Sequence, residues 1–161
     1  MSESAAISTR ECIAILDDDA SVRKALARLI AAYSYRVETY SSAREFIESL
    51  NRGVPDCLIL DLQMQDITGL ELQHYLNGRG TPVPTIVLTA QDEAGTHECC
   101  MDAGAVAFLV KPVAKEQLLR AIEAATRHHS PSVEAGENAK CIERAGGLAA
   151  CTPGTHLVDR I

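Results

Sequence analysis

Five polar side chains sit at the ends of short apolar runs, and their types suit one kind of chemistry. Asp17 and Asp18 follow CIAIL (12–16), and Asp61 falls within CLILDL (57–62). Thr89 lies near the end of VPTIVLTA (83–90), and Lys111 follows VAFLV (106–110). Carboxylates brought together repel, so such a cluster needs a cation or at least one raised pKa. Hard oxygen donors without His or thiolate favour Mg²⁺, which takes one or two carboxylates, a carbonyl and several waters. A carboxylate beside Mg²⁺ can attack phosphorus and hold the phosphoryl group as an acyl phosphate. In that scheme Asp61 is the nucleophile. Lys111 and the metal neutralise phosphoryl oxygens, and the Thr89 hydroxyl donates to another.

The elements that must position these groups alternate in type. After CIAIL, the residues Val22, Ala25, Leu26, Leu29, Ile30 and Tyr33 recur at three- and four-residue spacing, which predicts a helix with one buried face. Asp19 or Ser21 would cap its start. RVETY (36–40) reads as a strand, and SSAREFIESL (41–50) as a helix with Ser41 or Ser42 as cap. A turn at 51–55 leads to CLILDL. A helix then runs from about Gly69 to Asn77 and breaks at Gly78-Arg79-Gly80-Thr81-Pro82. After the fourth strand comes a weaker helix over 92–102, then VAFLV closed by Lys111-Pro112, then a helix over 114–128. Near-continuous apolar strands separated by amphipathic helices predict an α/β fold: a (βα)5 doubly wound parallel sheet of five strands, with helices on both faces. In such folds the site lies at the carboxyl ends of the strands, near the point where strand order reverses.

The bulk properties narrow the function. The chain has 161 residues and a formal net charge of −7, without a basic stripe, which argues against direct contact with nucleic acid or an anionic membrane surface. No apolar run approaches a membrane span, and the N-terminus MSESAAISTREC lacks the blocks of a signal peptide, so a cytoplasmic location is expected. Cys12 and Cys57 read as small core residues rather than disulfide partners. Residues 1–10 read as an extension and 11–128 as one domain. Residues 129–161, rich in Gly, Ala, Pro and Ser, read as a flexible tail or linker stump without an output domain, with a short helix near Ala139–Arg144. His74, His97, His128 and His129 read as exposed helix residues. Cys141, Cys151 and His156 fit no common zinc spacing.

ILDDDASVRKAL, LILDLQMQDITGLEL, TIVLTA and FLVKPV, in this order over about residues 10–128, resemble the receiver domain of bacterial two-component response regulators. The details DDD-x-x-VR and GLELQ are most similar to the FixJ-type branch, whose members usually carry a helix-turn-helix output. The resemblance implies a flavodoxin-like strand order 2-1-3-4-5. It implies Asp61 as phosphoacceptor, with Mg²⁺ as cofactor held by Asp18 directly, Asp17 mainly through water, Asp61, and the backbone carbonyl of Gln63. Thr89 matches the hydroxyl that moves toward the phosphoryl group, Lys111 the phosphate-binding lysine, and Phe108 the aromatic switch position. A cis Lys111-Pro112 bond is implied as well. Gln63 and Gln91 occupy positions that tune phosphate lifetime. The implied partner is a histidine kinase or phosphotransfer protein, and the implied output is a changed surface on helix 4, strand 5 and helix 5, with homodimerisation through helix 4 and strand 5. Gln65 departs from the family, which commonly has Pro there.

Two other functions fit part of the pattern. Asp17 and Asp19 form the Asp-x-Asp of aspartyl-nucleophile phosphatases, but the Gly/Thr-rich loop that usually follows is absent, and that class does not need Asp61. A docking module that keeps the fold without accepting phosphate would not need all of Asp17, Asp18, Asp61, Thr89 and Lys111. A regulatory phosphoacceptor, and not an enzyme with turnover, is the expectation.

Overall fold

A computed structural model of the chain describes residues 10–91 and 93–127. Ten elements alternate: β1 Cys12–Leu16, α1 Ala20–Ala31, β2 Arg36–Tyr40, α2 Ala43–Ser49, β3 Cys57–Asp61, α3 Gly69–Gly78, β4 Thr85–Thr89, α4 Thr96–Asp102, β5 Ala105–Val110 and α5 Lys115–Arg127. The strands form one parallel sheet, as the residue pattern predicts, in the order β2-β1-β3-β4-β5 that the resemblance implies. Strand order reverses at β1 and β3, which are adjacent, so their carboxyl ends flank the crevice where such folds bind ligands. The tail reading, including Ala139–Arg144, Cys141, Cys151, His128, His129 and His156, lies outside the described residues, as do residues 1–9.

The period-two alternation of the central strands explains the two covered faces. Ile13, Ile15, Ile59, Ile86 and Leu88 point to one side, where Ile30 of α1 and Leu118 and Ile122 of α5 cover them. Ala14, Leu16, Leu58 and Leu60 point to the other, under Phe46 and Ile47 of α2 and Leu72 and Leu76 of α3. Val87 of β4 and Ala105 of β5 continue that second layer beneath Cys100 of α4. Cys12 and Cys57 are buried thiols, and burial raises the pKa of both, so they pack as small apolar groups. Among the described residues no helix is long and apolar enough to cross a membrane.

Phe46 is fully buried and meets the Tyr40 ring edge-on, with centroids 5.5 Å apart. Phe46→Ala is expected to cost about 3–5 kcal/mol, read as a lower denaturant midpoint with nearly unchanged slope.

The structure decides between the cap candidates, bears out some readings and corrects several boundaries and faces. Asp19, not Ser21, caps α1, accepting from the N–H groups of Ser21 and Val22. Ser42 caps α2, which begins at Ala43. α1 ends at Ala31, so Tyr33 falls in the following turn, exposed, with its ring under the Lys115 ammonium at 5.8 Å. Ala25 is exposed too, and Ala27 takes its place in the packed stripe. β4 begins at Thr85, after Pro84, which has no N–H for a ladder. α4 covers only Thr96–Asp102, because the chain turns at Gly95, where φ is +86°, before the helix starts. His74 is half-buried on α3, and His97 is exposed on α4. The Lys111-Pro112 peptide is cis.

Candidate functional site

Each strand-end residue is placed by the strand that precedes it. The Asp17 N–H still donates to the Tyr40 carbonyl at 3.3 Å, which continues the β1–β2 ladder one residue past Leu16. Its side chain is only 2% exposed. Its Oδ1 accepts from the Asp19 N–H at 2.9 Å and its Oδ2 from Lys111 Nζ at 3.2 Å. Asp18 follows on the exposed loop. Asp61 is the buried last residue of β3; its Oδ1 accepts from the Gln63 N–H at 3.1 Å, and its Oδ2 lies 3.7 Å from Lys111 Nζ. Lys111 follows β5, with its N–H on the Thr89 carbonyl at 2.7 Å. The ends of β1, β3 and β5 therefore deliver two carboxylates to one ammonium.

Asp17, Asp18 and Asp61 each offer a carboxylate oxygen, and these oxygens lie within 4.8 Å of one another. Three carboxylates against one ammonium leave the cluster with excess negative charge. The donors are all hard oxygens, a set that suits Mg²⁺. Burial raises the pKa of Asp61, and the charges of Asp17 and Asp18 push the same way. The Gln63 N–H and the Lys111 ammonium oppose that rise.

The raised pKa has a stability consequence of definite sign. Folded Asp61 holds its proton to higher pH than unfolded Asp61, so its contribution is fully present at or below the ordinary aspartate value. That contribution is lost as pH rises through the raised folded value. In a chelator-treated sample, thermal unfolding across this acidic window should show the wild-type chain losing stability, relative to Asp61→Asn, as pH increases. A wild-type curve parallel to that of Asp61→Asn would contradict the shift.

Not every predicted residue joins the cluster. Thr89 is buried, but its hydroxyl donates to the Gln91 carbonyl at 2.8 Å and accepts from the Gln91 N–H at 3.2 Å. It is thus turned into the β4–α4 loop. Thr89, Gln63 and Gln91 line a cavity of about 240 Å³ with Leu62, Leu70 and Thr96. Phe108 is partly buried: it packs against the Val87–Cys100–Ala105 group and meets the His97 ring edge-on at 5.0 Å. β5 is an edge strand, so its side chains are covered less fully. A larger cleft of about 540 Å³ lies along β2, lined by Arg36, Glu38, Tyr40 and Arg52, and includes none of the acidic cluster.

Two positions that bear on the site were given no role from sequence. Arg23 Nη1 donates to the Asp17 carbonyl at 2.7 Å. At Gly69, the first residue of α3, a Cβ would lie 2.9 Å from Leu62 Cδ2 and 3.0 Å from the Asp61 carbonyl oxygen. Only glycine lets α3 start this close to the end of β3. The signals were an arginine in the first turn of a helix and a glycine at the start of another.

Known proteins are similar to this chain in fold and sequence. The family model for the response regulator receiver domain matches residues 13–123. Response regulator MprA of Mycolicibacterium vanbaalenii is 37% identical over 127 residues, covering 79% of this chain and 55% of that protein. Response regulator protein TodT of Pseudomonas putida is 39% identical over 115 residues, covering 71% of this chain and 51% of that protein. The chain spans about half the length of the curated relatives it matches. The crystal structure of FixJ-N superposes with a TM-score of 0.69 at 32% identity, covering 73% of this chain and 94% of that one. Receiver domains of this kind generally bind Mg²⁺ at an acidic pocket, and this fold builds one from Asp17, Asp18 and Asp61. This chain therefore belongs to the response regulator receiver domain family of two-component signalling.

Proposed function

We propose that the chain is a phosphorylation-activated switch that takes a phosphoryl group onto Asp61 from a partner histidine kinase or phosphotransfer protein. The observation that carries this reading is the position of Lys111 Nζ, 3.2 Å from Asp17 and 3.7 Å from Asp61, beside three carboxylates that could share one ion. Asp17, Asp18, Asp61 and the Gln63 carbonyl are the groups that would hold Mg²⁺. When bound, Mg²⁺ supplies positive charge that offsets the carboxylates and the developing charge of phosphoryl transfer.

The chain's own residues do the rest. A carboxylate oxygen of Asp61 forms the new bond to phosphorus while the bond to the donor nitrogen breaks, and the donor imidazole leaves with that electron pair. Lys111 neutralises phosphoryl oxygen charge, and the Gln63 N–H keeps the carboxylate oriented. Thr89 acts by giving up its Gln91 contacts and donating its hydroxyl to the phosphoryl group. Phe108, released from its edge contact with His97, turns toward the space Thr89 leaves. The surface of α4, β5 and α5 then changes its partner or pairs with a second copy. Gln63 and Gln91 tune hydrolysis. The domain occupies about 11–128 and works in the cytoplasm.

Incubation with acetyl phosphate and Mg²⁺, followed by gel filtration, tests the proposal. One alkali-labile phosphoryl group per chain, with a phosphorylation-dependent change in elution, is the expected result. A chain that takes no label at saturating Mg²⁺ is a docking module instead.

A further inference from the structure

Arg23 holds a position that helix stability does not explain. It lies in the first turn of α1, where a cation opposes the helix dipole. Its backbone is fixed there, since the Arg23 N–H donates to the Asp19 carbonyl at 3.0 Å while Asp19 caps the helix. Helical side chains lean toward the N-terminus. Arg23 follows that lean back over the β1–α1 loop and places Nη1 2.7 Å from the Asp17 carbonyl oxygen, the distance of a strong charge-assisted hydrogen bond.

That carbonyl belongs to the peptide joining Asp17 to Asp18, and the peptide is planar. Holding its oxygen therefore fixes the direction in which Asp18 leaves the strand end. The two acidic residues differ in how they are held. The Asp17 carboxylate is fixed by the Asp19 N–H and by Lys111. Asp18 is exposed, so its carboxylate reaches the cluster only as well as its backbone aims it.

We propose that Arg23 is a positioning residue for the metal site, fixing the Asp17–Asp18 peptide so that the Asp18 carboxylate faces Asp61. This rests on the reading of Asp17, Asp18 and Asp61 as the metal-binding carboxylates. The test uses the full chain, Arg23→Ala and Arg23→Lys, each titrated with Mg²⁺ alone by amide chemical shifts, then labelled with acetyl phosphate over a range of Mg²⁺. Groups that orient metal ligands typically change metal affinity about 10–100-fold when removed. Arg23→Ala should weaken Mg²⁺ binding by that factor, with labelling restored at saturating Mg²⁺, and Arg23→Lys should recover part of the affinity. Unchanged Mg²⁺ affinity in a folded Arg23→Ala chain overturns the inference, as does a labelling defect that excess Mg²⁺ leaves in place. If Arg23→Ala does not fold, Arg23→Lys decides alone: weaker Mg²⁺ binding supports the inference and wild-type binding overturns it. Wild-type chain that binds Mg²⁺ in an Arg23-dependent way but takes no label overturns the proposed function and leaves this inference standing.

Discussion

Replacing Asp61 with Asn abolishes phosphoryl uptake from acetyl phosphate. The amide has nearly the same shape and keeps an oxygen for the Gln63 N–H, now at 3.1 Å from Oδ1, so the local backbone is undisturbed. What is lost is the charged nucleophile, because a neutral amide oxygen does not form the acyl phosphate. Losses on the order of 10⁴–10⁶-fold accompany removal of a member of a nucleophilic group, which here means no detectable label. The variant also lacks a buried charge whose ionisation opposes folding, so it should unfold at higher temperature than the wild-type chain at neutral pH without metal. Lost labelling together with a raised unfolding temperature separates loss of chemistry from loss of fold. Retained labelling would place the acceptor elsewhere.

Lys111→Ala should have the next largest effect, and on two properties at once. The ammonium contacts Asp17 and Asp61, whose side chains are 2% and 7% exposed, while the lysine side chain is 26% exposed. Removing it leaves two close carboxylates with no compensating charge. Breaking a fully buried pair costs about 3–5 kcal/mol, and the partial exposure here lowers that to roughly 1–3 kcal/mol in the metal-free chain. Divalent metal should recover part of the loss, since it supplies the missing charge. The labelling rate should fall about 10²–10³-fold, the usual effect of removing one group that stabilises transition-state charge. Thermal unfolding with and without Mg²⁺, and initial labelling rates at saturating Mg²⁺, measure the two effects. A variant that labels like wild type would remove Lys111 from the site.

The residues that carry these predictions were legible in the sequence for a physical reason. A strand buried on both faces must be apolar along its length, so CIAIL and CLIL announce themselves, and the first carboxylates after them fall at the sheet edge. Helix faces were less legible. The period places Tyr33 on the stripe of α1, but the chain leaves the helix at Ala31 and the ring ends over Lys115. The start of α4 depends on a turn at Gly95, which apolar spacing does not register. The orientation of a hydroxyl was not legible at all: Thr89 sits where expected along β4, yet its side chain bonds to Gln91. Arg23 and Gly69 act through close approach of elements brought together by folding, the one to the Asp17 carbonyl and the other to that of Asp61. No local pattern encodes either distance.

Mapping the phosphoryl group on the wild-type chain tests the acceptor assignment most directly. The chain is incubated with acetyl phosphate and Mg²⁺, and the acyl phosphate is reduced with borohydride to mark its position. Tryptic peptides are then fragmented in a mass spectrometer. Cleavage after Arg10 and Arg23 isolates Asp17 and Asp18 from Asp61, which falls between Arg52 and Arg79. The expected result is a single mark, at Asp61, that disappears when Mg²⁺ is chelated. A mark on Asp17, Asp18 or His74, or one at Asp61 that forms equally well without divalent metal, would contradict it.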